Sequence, residues 1–598
     1  MRRLWAVLAG LLIGVAGVPD AGRAATDAPQ TLPLAQVKPG MTGYGLTVVQ
    51  GTTIERFDIR ILGTLKGGPA SDLILFRGTG PVIQGAGGTA SGMSGSPLYI
   101  GGRIIGALSY GYHFAGQDAD LSLATPIEEM LKLLGPSQPG AGNGAPHVYA
   151  AAAPMVTPAG RISRVVLMRS NADAAAYNAR PLPETIAVAP TAVPVFAGGV
   201  STPAMALLAR QLGRYNIVPT QGYGGKREFT PPPVEPGSAL GIELASGDIE
   251  IGAIGTVTYR QGTKILAFGH PLLNAGPAAM PITAAWINTV VRSIDFPFKE
   301  GSVGAMVGVT TQDRATGMAG ELGRFPRMFG LRVRVRDAGG PVHETTARVV
   351  LRADLAESLV PVVALSAVQR SLDRVAGGSA RVRIVLRARG VPREIVREDI
   401  VYDAADIATA SVLDVPGATQ LLFGNFFRTL VPVDMTIDIA ARNEPNTALL
   451  VTADPSAKSV TPGERLQVKL GLFPYGGRTA RSRTVQFTVP RDFPPGPAFL
   501  VVGSAGVVND VPLPTDQKFQ LLVAQQAIPQ NNAESLDDAI DQFEGFGKNT
   551  DVAVYLVPSP VLQAVGGNAN PGSGASAGTF LATDAVVLGK FQIPIVVK

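Results

Sequence analysis

The sequence predicts a mainly β protein of several domains, and three observations carry that expectation. Gly 71 and Pro 48 are too many for a helical chain of 598 residues. Runs of valine, isoleucine and threonine recur, and stretches such as LQVKLGLF and RTVQFTVP alternate apolar and polar with the period of a half-buried strand. The length exceeds what one core serves and implies about three to five domains, for which a 46% hydrophobic content supplies the apolar material.

The N-terminus reads MRRLWAVLAGLLIGVAGVPDAGRA. Arg2 and Arg3 form a basic start, Leu4–Val18 an apolar run, and Gly22 and Ala24 the small residues of a cleavage site. Residues 1–24 therefore read as a signal peptide, and the protein as exported to the bacterial periplasm or outside the cell. Residues 25–140 follow as strands and tight turns closing in a helix, TPIEEMLKLLG. There Thr125 is placed to cap, Pro126 to take the first helical position, Glu128 to complete a capping box and Gly135 to stop the helix. The low-complexity run PSQPGAGNGAP marks a boundary.

Residues 141–235 mix alternating strands with a helix at Pro203–Leu212 capped by Thr202, and end in a second linker, TPPPVEPG. Residues 236–340 are β-rich and contain the hairpin TVTYRQGTKILAFGH, turning at Gln261-Gly262. Residues 341–445 read as an α/β module, with Leu365, Val368, Leu372 and Val375 on one helical face and RVRIVL as the next strand. Residues 446–598 read as a β-sandwich interrupted by one helix, SLDDAIDQF.

Composition excludes several chemistries. With Cys 0, neither disulfides nor thiol catalysis operate. Part of the net charge of +5 (Arg2, Arg3 and Arg23 against Asp20) leaves with the signal, so nothing argues for a nucleic-acid partner. The densest basic run, GRFPRMFGLRVRVRD, alternates Arg332, Arg334 and Arg336 with apolar residues and reads as a strand with one solvated face. No apolar stretch after the signal reads as a membrane span. No His-Glu-x-x-His helix and no phosphate loop is present, so no metal and no cofactor is expected. The acidic pairs Glu128-Glu129 and Asp537-Asp538 read as solvated helix faces.

One stretch stands out, GTASGMSGSPLYIGG from Gly88. A nucleophilic serine needs a tight turn whose backbone N–H groups also receive the developing oxyanion. Gly92 and Gly95 flank Met93-Ser94 and permit such a turn. The N–H groups of Gly92 and Ser94 are then the oxyanion donors. The strand after the Gly101-Gly102 turn ends in Ser109-Tyr110-Gly111, placed to line a substrate cleft. A plain glycine-rich turn fits these residues as well, and at this level both readings stand. Of four histidines, His270 ends an apolar strand between Gly269 and Pro271, where a β-barrel presents a base at a cleft.

Together these segments match a family. GTASGMSGSPLYIGGRIIGALSYG, preceded by IERFDIRILG and followed by ATPIEEML, resembles the serine half of the SpoIVB peptidase family. IGTVTYRQGTKILAFGHPLLN resembles its histidine half. The resemblance implies a trypsin-like double β-barrel, circularly permuted because the serine half comes first. It implies Ser94 as nucleophile, His270 as general base, and a polypeptide substrate, the chain itself included. The position of the family's acidic residue falls on Thr79, which carries no charge; Asn274 and Asp313 are the other candidates to orient the imidazole. The expected function is an exported serine endopeptidase. Its alternative is a catalytically degenerate scaffold that binds an envelope partner through the C-terminal β domain.

Overall fold

A computed structural model of the chain describes residues 30–66, 72–111, 120–135, 147–157, 160–168, 171–180, 182–190, 193–213, 215, 217–222, 229–292, 297–506, 517, 533–545, 547–559 and 578–598. The expected signal peptide and the run PSQPGAGNGAP after Gly135 lie outside the described residues.

The first six strands are β1 (Thr42–Val48), β2 (Ile54–Lys66), β3 (Leu73–Thr79), β4 (Pro97–Ile100), β5 (Arg103–Gly111) and β6 (Leu121–Pro126). They pair in the order β1-β2-β3-β6-β5-β4, and β4 returns to β1, closing a barrel. Period-two burial builds its interior: Phe57, Ile59 and Ile61 of β2 point inward with Ile74, Phe76, Leu98, Ile105 and Leu108. The turn at Gly101-Gly102 joins β4 and β5 as the sequence predicts, with both glycines at positive φ.

A second set repeats this plan. Strands β7 (Ala239–Gly247), β8 (Glu250–Gln261), β9 (Lys264–Ala267), β10 (Pro281–Val291), β11 (Phe298–Arg314) and β12 (Gly317–Leu322) pair as β7-β8-β9-β12-β11-β10. The β7–β8 and β7–β10 ladders close this ring too. The double β-barrel is thus present, with the serine-bearing barrel first. Tyr99, Ala107, Ile127 and Met130 of the first barrel pack on Tyr259, Leu266 and Ala319 of the second. Backbone bridges Gly51–Ile287 and Ser91–Phe298 stitch the barrels together.

Between the barrels the chain adds strands to each in turn. His147–Thr157, Gly160–Leu167 and Thr185–Pro190 extend the first sheet, and Val193–Gly198 and Ile217–Gln221 the second. The sheet of the second barrel continues into Val342–Val350, Met328–Asp337, Val431–Arg442, Gly378–Arg389 and Ile395–Asp403. Sheets of four and five strands from residues 447–597 share one apolar core and form the C-terminal sandwich.

Three local expectations are corrected. The helix after β6 is Ile127–Leu131, with Pro126 at its N-cap and no side-chain cap. Thr125 belongs to β6 and spends its hydroxyl on Gly269 O, and Glu128 accepts from Leu34 N–H instead of closing a capping box. The helix expected from Pro203 starts at Thr202, with Ser201 O accepting the Met205 N–H. Against the expectation that no apolar stretch after the signal is long enough for a span, the helix Ala353–Leu372 is long and apolar enough to cross a membrane by length and composition. It is buried on nearly all sides against helices Thr202–Gly213 and Val415–Phe423, and Val375, assigned to its face, lies beyond its end and is exposed.

Candidate active site

The loop from Gly87 to Ser96 connects the third and fourth strands of the first barrel. Two turns shape it: Met93 N–H donates to Ala90 O (3.0 Å), and Ser96 N–H to Met93 O (2.9 Å). Gly92 and Gly95 hold φ of +88° and +92°, a region L side chains rarely adopt. At Gly95 a Cβ would also lie 2.0 Å from Thr256 O and 2.5 Å from Phe268 N. Only glycine lets the Ser94 turn sit this close to the second barrel.

That barrel grips the loop by its carbonyls. Thr256 donates from Oγ1 to Gly92 O (3.0 Å) and from its N–H to Ser94 O (2.9 Å), and Thr258 Oγ1 donates to Gly95 O (2.7 Å). Lys299 N–H donates to Ser91 O (2.9 Å), and the Ser96 hydroxyl to Met93 O (2.6 Å). In a trans peptide the N–H points opposite to its C=O. Fixing Ser91 O and Met93 O therefore aims the N–H groups of Gly92 and Ser94 away from those partners. Neither N–H has an acceptor among the described residues, so both are available to a ligand oxygen.

His270 occupies the equivalent connection of the second barrel, also between third and fourth strands. Phe268 and Gly269 turn the chain with φ of +67° and +69°. Gly269 O accepts from Thr125 Oγ1 (2.6 Å), which also reaches Ser109 Oγ (3.0 Å). The imidazole lies between the rings of Phe268 (5.9 Å, edge-on) and Tyr110 (6.3 Å). Its Nδ1 is 2.8 Å from Pro271 O. A carbonyl only accepts, so Nδ1 carries the proton and Nε2 holds the free lone pair. Nε2 is buried with no hydrogen-bond partner, and Ser94 Oγ makes no hydrogen bond to a described residue. Burial pushes the pKa of His270 down to about 4, against the weaker opposing effect of the Pro271 carbonyl, so the ring is neutral at neutral pH.

The other named residues fall around this pair. Asp313, at the end of β11, accepts the N–H groups of Leu272 (2.8 Å), Leu273 (2.8 Å) and Ala275 (3.2 Å). Burial raises its pKa while these three bonds pull it back. It fastens the turn that follows His270 and does not touch the ring. Asn274 is in that turn, half-buried, at φ +56°. Thr79 ends β3 opposite Asp58 and is exposed. The ring's single hydrogen bond goes to the Pro271 carbonyl, so none of the three is bonded to the imidazole. Ser109 is buried beside Gly269, while Tyr110 and Gly111 pair antiparallel with Pro190 and Ala189.

The sequence marks Thr125 only as a helix cap and does not single out Thr256, Thr258 or Lys299. Thr256 and Thr258 carry a faint signal, since period two puts both on one face of β8. Nothing local marks Lys299 in DFPFKEG. Among the described residues no group of His, Asp and Glu could hold a metal ion.

Residues 12–131 match the family described as SpoIVB peptidase S55. The matched span contains the whole of the first barrel and its serine loop, and ends before His270. No curated protein and no solved structure matches the chain.

Proposed function

Proceeding from the match of residues 12–131 to SpoIVB peptidase S55, we propose that the protein is an exported serine endopeptidase of that type. Ser94 Oγ attacks the scissile carbonyl while His270 Nε2 takes its proton. The oxyanion settles on the N–H groups of Gly92 and Ser94. The imidazolium then returns the proton to the departing amine, leaving an acyl group on Ser94. Water, deprotonated by the same Nε2, releases the acid and restores the serine. The single observation that carries this reading is the pair of unengaged N–H groups on the serine loop, in a barrel whose neighbour presents a histidine from the matching connection.

The Pro271 carbonyl takes the orienting role of the absent acid. It sets the tautomer but brings no charge to the imidazolium, so catalysis is slow. The loss of about 10⁴-fold that follows when a triad aspartate becomes asparagine comes from the wrong tautomer, which the Pro271 carbonyl prevents here, so this site lacks only the charge of the acid. Export belongs to the same proposal: the full chain expressed in a bacterial host should yield a mature N-terminus at Ala25, read by intact mass, and an N-terminus retained at Met1 contradicts it.

The purified protein should hydrolyse quenched fluorescent peptides, and Ser94→Ala and His270→Ala should each lose that hydrolysis. Hydrolysis that survives Ser94→Ala overturns the assignment. The scaffold alternative draws its support from the missing Ser94–His270 hydrogen bond, and a folded, wholly inactive protein would favour it.

A further inference from the structure

We infer that Lys299 is a positioning residue of this site, bracing the serine loop from beneath and tying it to both barrels. The inference rests on Ser94 being the nucleophile. Lys299 lies near the start of β11 and is fully buried. Its N–H fixes Ser91 O, and its stem runs under Gly92, where an added Cβ would meet Lys299 Cβ, Cγ and Cδ at 3.1–3.3 Å. Its Nζ donates to Thr47 Oγ1 of β1 (2.8 Å) and to Thr256 Oγ1 of β8 (3.2 Å). Thr256 Oγ1 in turn donates to Gly92 O (3.0 Å).

A chain of bonds thus runs from Lys299 Nζ to the Thr256 hydroxyl to the Gly92–Met93 peptide, which lies between the two peptides that carry the oxyanion donors. The partners of its Nζ among the described residues are the two hydroxyls, and burial lowers its pKa to about 7. A hydrophobic residue would occupy such a place at less desolvation cost. What the lysine adds is a Gly92–Met93 peptide held in place through the Thr256 hydroxyl, and with it the orientation of the loop that carries the oxyanion donors.

The full chain with Lys299→Met, Thr256→Val and Thr256→Ser tests this. A fluorophosphonate reports the rate of Ser94 labelling, and peptide hydrolysis reports kcat and KM separately. Lys299→Met and Thr256→Val should slow labelling about 10- to 100-fold and lower kcat with KM unchanged. Thr256→Ser, which keeps the hydroxyl, should restore both. Wild-type rates in Thr256→Val overturn the inference even where Lys299→Met fails to fold. A wild type that is never labelled removes the nucleophile reading and this inference with it.

Independently, we propose that Thr185–Pro190 is a substrate-like strand that closes the cleft of the resting protein. Strand β4 leaves β5 at Ala107, and Leu108 is taken up by Gly95 N–H and Ser96 O. The next residues of that edge lie beside His270, and there Tyr110 and Gly111 pair with Pro190 and Ala189. The chain then joins the second barrel through Val193–Gly198, with Val195 opposite Ala253. Thr185–Pro190 is held on the serine barrel and Val193–Gly198 on the histidine barrel, as an extended peptide would be when it adds a strand to such an edge. The ladder on Tyr110 and Gly111 spans two residues, short enough for a competing peptide to displace while Thr185–Val188 stays paired with Arg164–Leu167.

The chain has no cysteine, so Gly111→Cys with Ala189→Cys allows one disulfide only. Directly opposed residues of an antiparallel pair lie within disulfide reach. Oxidation of this variant should cut peptide hydrolysis at least about tenfold while a small alkyl fluorophosphonate still labels Ser94, and reduction should restore hydrolysis. An oxidised form as active as the reduced one, or a pair that does not form the bond, overturns the proposal. Loss of labelling in the reduced form points instead to failure of the nucleophile reading.

Discussion

At the scale of single residues, the Pro271 carbonyl fixes the His270 tautomer and burial decides its charge. With the pKa pushed down to about 4, the imidazole is a free base across the neutral range. kcat/KM should therefore show no histidine limb near the usual ~6.5, and Lys299→Met should remove any limb that the buried lysine, with its pKa of about 7, contributes. A limb rising through pH ~6.5 that persists in Lys299→Met would contradict the burial argument. The same shift has a stability consequence. Between the unfolded value of about 6.5 and the folded value of about 4 the unfolded chain binds more protons, so stability is lost as pH falls through that window, about 3 kcal/mol in full. Urea unfolding of wild type against His270→Gln should show the difference. Asp399, held by burial well above the usual carboxylate range, acts in the opposite sense and cancels in that comparison. Gly95→Ala should cost about 3 kcal/mol, through a Cβ 2.0 Å from Thr256 O and a disfavoured φ, and should part the two barrels at the site. Gly101→Ala, with nothing within 4 Å, should cost about 1 kcal/mol.

At the scale of elements, the turn after His270 depends on Asp313. Its carboxylate receives three N–H groups, and an amide offers one acceptor oxygen and a competing donor. Asp313→Asn should cost about 3 kcal/mol in thermal or urea unfolding and lower kcat more than it raises KM. Elements with a local mark were legible from sequence: the β4–β5 and β8–β9 hairpins, buried on both faces, by their turn glycines, and Met328–Asp337 by arginines alternating on one solvated face. The helix Ala353–Leu372 was only half legible, because a helix buried all round shows no apolar stripe to delimit it. Thr125 misled for a related reason. A threonine before a proline looks like a cap, but here its hydroxyl crosses to Gly269 of the other barrel, a partner no local pattern contains.

At the scale of the whole molecule, the two barrels repeat one strand order and present Ser94 and His270 from the same connection. That symmetry brings equivalent loops, remote in sequence, to the junction of the two barrels. It also tolerates the reversed order of the halves, since each barrel closes on its own strands. The serine and histidine motifs were readable because glycine spacing and strand ends leave local marks. Their setting was not: Thr256, Thr258 and Lys299 act by packing one barrel on the other, and period two alone says nothing of what a face will meet. The C-terminal sandwich is tied to the rest through the buried Arg397, which pairs with Asp414 (2.7 Å) and reaches Phe543 O (2.8 Å) of the helix Leu536–Gly545. The central claim concerns one hydroxyl, and one measurement addresses it: the mass of the Ser94-containing peptide after exposure of the folded protein to a fluorophosphonate. An adduct on Ser94 in wild type, absent in Ser94→Ala and slowed in His270→Ala, is the expected result. An unmodified Ser94 between about pH 6 and 8, where the neutral imidazole is fully present, would contradict the account.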